Sequence, residues 1–431
     1  MIMTVSTTNN LKFFILMWMA WGFALKAWSA NWIELQGSEN PAVETIRLYG
    51  FVQPTWISSA SGELPVGPFA GKKPVFNSVG PDFKSSSGFQ LMRARLGARG
   101  WVHGAKGRAN FNLLTEWGDN AITSSHHGPI VVDASLTLHR DSGWKIRIGQ
   151  FKYPGSEEGM LPIFKHPFIS YTNVTSQLLL ERFFDEVGAT AGSENAANGP
   201  IGAFRDQGIE VFYNFERMRK KHTAAIMVGN GNGIGRGDNN NDKDLYLFWA
   251  SEGNRGEDAK WKWSLWSQWG HRSLSQTHYE RRRSGVGVFL EKDRWLTGWE
   301  WIWGRGVIFD GTDGGARPGE SDGVGGVASN NVLPEEEAQG GYLSIGYSIE
   351  QNWRGFFRYD IYERGLLLDS NFKRFQTLAL SLEHLYSQNV RLVLNYEFRK
   401  AEAPRLANTH AANRILSEMK DRLSLQSVVY F

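Results

Sequence analysis

The stretch D-R-L-S-L-Q-S-V-V-Y-F, Asp421 to Phe431, closes the chain, and its reading decides the fold. Side chains alternate between the two faces of a strand. Leu423, Leu425, Val429 and Phe431 make one face apolar, interrupted only by Ser427. Arg422, Ser424, Gln426, Val428 and Tyr430 make the other polar or mixed. A soluble sheet and a membrane barrel can both use such a strand, so the choice rests on what precedes it.

Working outward from it, period-two segments recur near 46–53, 89–102, 107–117, 131–139, 144–152, 207–216, 222–229, 244–251, 260–270, 284–292, 295–305, 340–350, 353–363, 375–385, 390–400 and 420–431. That is sixteen strands. In this reading the connections alternate in length without exception: the long ones hold 11 to 54 residues and the short ones 2 to 8. Transmembrane barrels have an even number of antiparallel strands, short turns on one side and long loops on the other, so one rule covers both count and order. The expected fold is all-β, a transmembrane antiparallel barrel of about sixteen strands over 46–431, with a long third loop at 153–206. Its first strand, carrying Arg47, should meet the last, carrying Arg422. A soluble sandwich or propeller predicts no such alternation, and no internal repeat supports a propeller.

The faces agree. Leu392, Leu394, Tyr396 and Phe398 oppose Arg391, Asn395, Glu397 and Arg399, and Trp353, Phe357, Tyr359 and Ile361 oppose Arg354, Arg358 and Asp360. Alternation alone does not say which face meets solvent, because a sandwich would bury the apolar one. The beginning of the chain helps. Lys12, the apolar run Phe13 to Leu25 and Ala27-Trp28-Ser29 read as a signal peptide over 1–29, too short to span a bilayer core, followed by a periplasmic lead-in at 30–45. Without Lys12 and Lys26 the formal charge falls from +3 to about +1, which leaves no global charge argument for a nucleic-acid partner. The chain has no cysteine, and its mean hydropathy of −0.37 is uninformative for a barrel, where only every second residue faces lipid. Trp101, Trp117, Trp144, Trp249, Trp261, Trp263 and Trp353 sit near strand ends, where barrels carry aromatic girdles.

The third loop is too apolar for a solvated segment: Met160, Leu161, Ile163, Phe164, Phe168, Ile169, Leu178 to Leu180, Phe183 and Phe184 need somewhere to pack, in the lumen or against a cap or subunit. Gly229 to Asp244 places Asp238, Asn240, Asp242 and Asp244 at every second position, but it lacks the turn glycine and distal bidentate acid of a calcium loop, and its glycines lack the Lys-Ser/Thr of a phosphate loop. His126 and His127 read as surface. No cofactor or metal is expected, and the ten histidines form no catalytic pattern.

On the inferred inner face lie Arg47, Arg93, Arg95, Arg99, Lys145, Arg147, Arg354, Arg358, Arg391, Arg399 and Arg422. Glu116, Asp133, Glu210, Glu300, Glu350, Asp360, Glu383 and Glu397 are expected to face that basic arc across the lumen. Rings of Arg or Lys are how pores favour anions. Trp266, Phe212, Phe248, Phe289 and Phe356 share the inward parity and would suit sugars.

The order L-M-R-A-R-L-G-A-R-G (Leu91 to Gly100), I-R-I-G-Q-F-K (Ile146 to Lys152), F-R-D-Q-G-I-E-V (Phe204 to Val211), V-G-N-G-N-G with D-N-N-N-D-K-D, and a final strand ending in Phe431 resembles the phosphate-selective porin O and P family of bacterial outer membranes. The resemblance implies a sixteen-stranded general or anion-selective porin, commonly a homotrimer, with the third loop narrowing the pore. Phe431 resembles the assembly signal of such barrels. The expected activity is passive diffusion of small hydrophilic, mildly preferred anionic solutes through the outer-membrane lipid, along Arg47, Arg93, Arg95, Arg99, Lys145, Arg147, Arg354 and Arg358. A saccharide channel and a non-conducting structural or adhesive barrel are the alternatives.

Overall fold

The computed structural model describes residues 31–36, 46–74, 87–102, 109–123, 128–140, 142–181, 201–238, 240–254, 259–274 and 277–431. The signal peptide, His126-His127 and Phe183-Phe184 lie outside them. The strands are β1 (Ile46–Ser59), β2 (Ser87–Trp101), β3 (Ala109–Glu116), β4 (Ile130–His139), β5 (Trp144–Lys152), β6 (Arg205–Arg217), β7 (Lys220–Gly229), β8 (Asp244–Asn254), β9 (Ala259–Leu274), β10 (Thr277–Lys292), β11 (Trp295–Arg305), β12 (Ile308–Thr312), β13 (Asn330–Leu333), β14 (Glu337–Ser348), β15 (Trp353–Arg364), β16 (Lys373–Leu385), β17 (Val390–Glu402) and β18 (Arg422–Tyr430). All but β12 and β13 close into one antiparallel barrel in sequence order; those two form a separate hairpin in the connection between β11 and β14. Among the described residues no helix is long and apolar enough to cross a membrane.

The seam pairs β18 with β1, Tyr430 opposite Phe51 and Arg422 opposite Ser59, which puts Arg422 and Arg47 at opposite ends of it. Beyond β18, Phe431 exchanges two backbone hydrogen bonds with Gly50, of 3.0 and 3.1 Å. Its ring lies against Gly50, where a Cβ would fall 2.7 Å from the ring and 2.5 Å from the Arg95 carbonyl oxygen. Only glycine leaves that space.

Sidedness, which alternation leaves open, is settled by burial. On β17 Leu392, Leu394, Tyr396 and Phe398 are exposed, while Arg391, Val393, Asn395 and Glu397 are buried. A soluble sandwich would invert this, so the barrel is a transmembrane one with an apolar outer belt and a charged interior.

The strict alternation of connections fails once. The segment 271–283, expected as a long loop, belongs to β9 and β10, which pair from Ala259–Lys292 as far as Leu274–Thr277. Here the hairpin projects past the apolar belt, both faces become polar, and the period-two signal in Tyr279, Arg281 and Arg283 against Arg282 is masked. The expected girdle also loses Trp101, which is buried against His139. The lead-in differs too: Asn31–Gln36 lies inside the barrel rather than free beneath it. Trp32 and Ile33 are buried, and Asn31 caps the single turn Trp32–Leu35.

Candidate functional site: the narrowed lumen

The third loop enters the lumen after β5 and is held there by the barrel wall. Its first turn, Glu157–Met160, docks on β9 and β11. Glu300, fully buried on β11, accepts from Ser156 Oγ (2.8 Å), Glu157 N (3.1 Å), Trp266 Nε1 (3.1 Å) and Tyr342 OH (3.2 Å), and Lys262 on β9 donates to both Glu157 carboxylate oxygens (2.9 and 2.8 Å). The loop then crosses to the wall of β15 to β18. Arg391 donates to the Phe164 and His166 carbonyls (2.6 and 2.9 Å), Arg358 to the Ser170 carbonyl (3.0 Å) and Arg422 to Ser170 Oγ (2.6 Å). Ile169 N donates to Asn395, and Asn173 to Asp360. Leaving, the loop meets Arg364 through Gln177 and Arg283 through the Leu178 carbonyl. Irregular backbone at membrane depth needs partners for its polar groups, and these side chains supply them.

At the loop's exit Glu181 gathers Arg281 (2.5 Å), Arg283 (3.3 Å) and Arg272 (3.5 Å), and Arg272 also pairs with Asp244 at 3.0 Å. Burial pushes the Glu181 carboxyl up, but the three guanidiniums prevail and hold it down at about 2. Arg281 and Arg283 fall in a segment that the sequence reading assigns to a loop, so face parity does not point them to the site, while Arg282 between them faces outward to Glu280.

Four of the acids, Glu116, Glu210, Glu383 and Glu397, do not face the arginines across the lumen but sit beside them on neighbouring strands. Arg95 pairs with Glu116 (2.7 Å), Arg147 with Glu210 (2.8 Å), Arg422 with Glu397 (2.6 Å), Arg354 with Glu383, and Arg391 with Glu383 (2.6 Å). Asp133 takes Arg205 at 2.9 Å, Arg358 lies 3.3 Å from the loop's Glu158, and Glu350 is exposed in a turn. The expected transverse field is therefore largely cancelled locally.

What stays open lies opposite the anchored side. A cavity of about 340 Å³ separates the loop from the wall of β1 to β6 and is bordered by Arg47, Arg95, Arg99, Lys152, Arg205 and Asp133. Arg47 is exposed and makes no ion pair among the described residues. Arg99 stacks 5.0 Å over the Tyr49 ring and Arg95 5.6 Å over Phe51. Arg93 turns instead to Gln53 (3.1 Å) and is 2% exposed. Arg147 donates to the Ile33 carbonyl (2.8 Å) and Lys145 meets Glu34, so both are committed to the N-terminal segment. Of the eight expected path residues, Arg47, Arg95 and Arg99 border the cavity; Arg93, Lys145, Arg147, Arg354 and Arg358 do not. Lys152 and Arg205, which do, stand at loop boundaries where face parity is hard to read.

Among the described residues of the glycine-rich loop the acids do not converge: Asp238 pairs with Lys243 and caps Asn240 and Asn241, while Asp244 is turned to Arg272.

No family model matches the chain, and no curated protein matches it. Among solved structures, an anion-selective porin from Comamonas acidovorans has 12% identity and a TM-score of 0.52, over 90% of this chain and 99% of that one. OmpF of Salmonella typhi, solved with daunomycin, has 9% identity and a TM-score of 0.52, over 90% and 97%. The likeness is one of fold. The chain shares with these solved porins the closed antiparallel barrel.

Proposed function

We propose that the protein is a passive channel of the bacterial outer membrane for small hydrophilic solutes, with a mild preference for anions, phosphate among them. The observation that carries this reading is the cavity between third loop and wall, bordered by Arg47 and Arg99 and by three further cations, Arg95, Arg205 and Lys152, that hold Glu116, Asp133 and third-loop carbonyls. Arginine and lysine in a confined aqueous passage raise the local concentration of anions. The saccharide alternative is weaker, because Phe212, Phe248, Trp266, Phe289 and Phe356 are all at most 6% exposed and offer no open stacking surface. In planar bilayers the purified protein should give discrete conductance steps, and a silent bilayer would overturn the reading. The working form we propose is a homotrimer embedded in outer-membrane lipid.

The N-terminal segment narrows this path from within. Asn31 donates to Asn214 (2.9 Å) and Thr223 (2.8 Å), and Asn214 donates to Glu34 (2.9 Å). Deleting residues 31–36 should therefore raise single-channel conductance; an unchanged step size would place the segment outside the current path. Phe431 we assign to assembly. Removing it takes two hydrogen bonds and a ring from the seam, which should lower the yield of folded, heat-modifiable barrel more than it changes the conductance of each inserted channel. Normal yield would contradict that assignment.

A further inference from the structure

We infer that the cavity beside the third loop selects organic anions that carry an apolar body, aromatic carboxylates in particular, over compact inorganic ones. This rests on the channel reading above and names the solute class within it. The cavity is two-sided. Its basic side is Arg47, Arg95, Arg99, Lys152 and Arg205. Its other side is offered by the partly exposed rings of Phe164, from the loop, and Tyr430, from the seam, backed by the buried Phe51, Met160 and Ile163. Phe164 is the hinge between them: its ring centre lies 5.3 Å from Phe51 and 5.6 Å from Tyr430, so the loop's aromatic residue completes a ring cluster begun by the wall.

A hydrated phosphate entering this space gains the guanidiniums but surrenders water against rings and aliphatic carbons, a loss with no compensating hydrogen bond. A benzoate-like solute meets both sides at once. Its carboxylate takes the planar donors of arginine, and its ring replaces water at the apolar wall. The volume of about 340 Å³ falls at the lower end of the range for small-molecule sites, enough for one ring with its carboxylate.

The test is the block of chloride current through the full-length channel in planar bilayers by benzoate, acetate and inorganic phosphate. Benzoate should half-block at a concentration at least tenfold below acetate and phosphate, and Phe164→Ala should bring benzoate towards acetate. Equal block by benzoate and acetate, or tighter block by phosphate, overturns the inference. The same bilayers, read first in a potassium chloride gradient, separate the two claims: a cation-preferring reversal potential overturns the channel reading itself, whereas an anion-preferring one with equal block overturns only the solute class.

Discussion

Glu300→Ala should release the third loop, with a rise in conductance and a loss of barrel stability of about 3 kcal/mol. Glu300 is the one acceptor shared by the loop's Ser156 and Glu157 and the wall's Trp266 and Tyr342, so alanine leaves four buried donors without it. A buried donor left without its acceptor costs about 1–3 kcal/mol, part of which lumen water would restore. Thermal unfolding followed by electrophoretic mobility measures the stability, and single-channel recording measures the opening. Glu300→Gln, which keeps one acceptor oxygen, should fall between. If Glu300→Ala conducts like the native protein, the loop is held by its other contacts and Glu300 is not its principal anchor.

The second large effect concerns charge. Replacing Arg47 and Arg99 together by alanine should move the reversal potential towards zero, because Arg47 is exposed at the cavity border and Arg99 lines the same cavity over the Tyr49 ring. A unit charge about 8 Å from a passing ion in water-like surroundings is worth about 0.5 kcal/mol, a factor of about two in local concentration for each charge removed. Salt screens this, so the effect should grow as ionic strength falls. Arg93→Ala is the contrasting change: Arg93 is turned to Gln53 away from the cavity and should shift the potential less. An equal shift from Arg93 would mean that the path runs along a different part of β2.

The barrel was legible because membrane crossing imposes a strong code. Period-two alternation in β15, β16 and β17, the even strand count and the short turns all survive in the structure. The misread hairpin of β9 and β10 shows where that code ends: above the lipid, no apolar face marks the strand. The cavity was legible only in part. Parity assigns Arg95, Arg99, Arg354 and Arg358 to the inner face, but it carries no information on what each then meets. Arg358 and Arg391 spend their donors on third-loop carbonyls, contacts between positions some two hundred residues apart. The pairing of Arg95 with Glu116 and Arg147 with Glu210 was within reach, since aligned strands put them directly opposite. The insertion of Trp32 had no signal, because a lone tryptophan before the first strand fits a girdle equally well.

The central claim is that an aqueous passage runs between the third loop and a basic wall. The zero-current potential of the native protein across a tenfold potassium chloride gradient tests it most directly. A perfectly selective pore would give about 59 mV. We predict the anion sign at a fraction of that value. A potential of the cation sign would contradict the account.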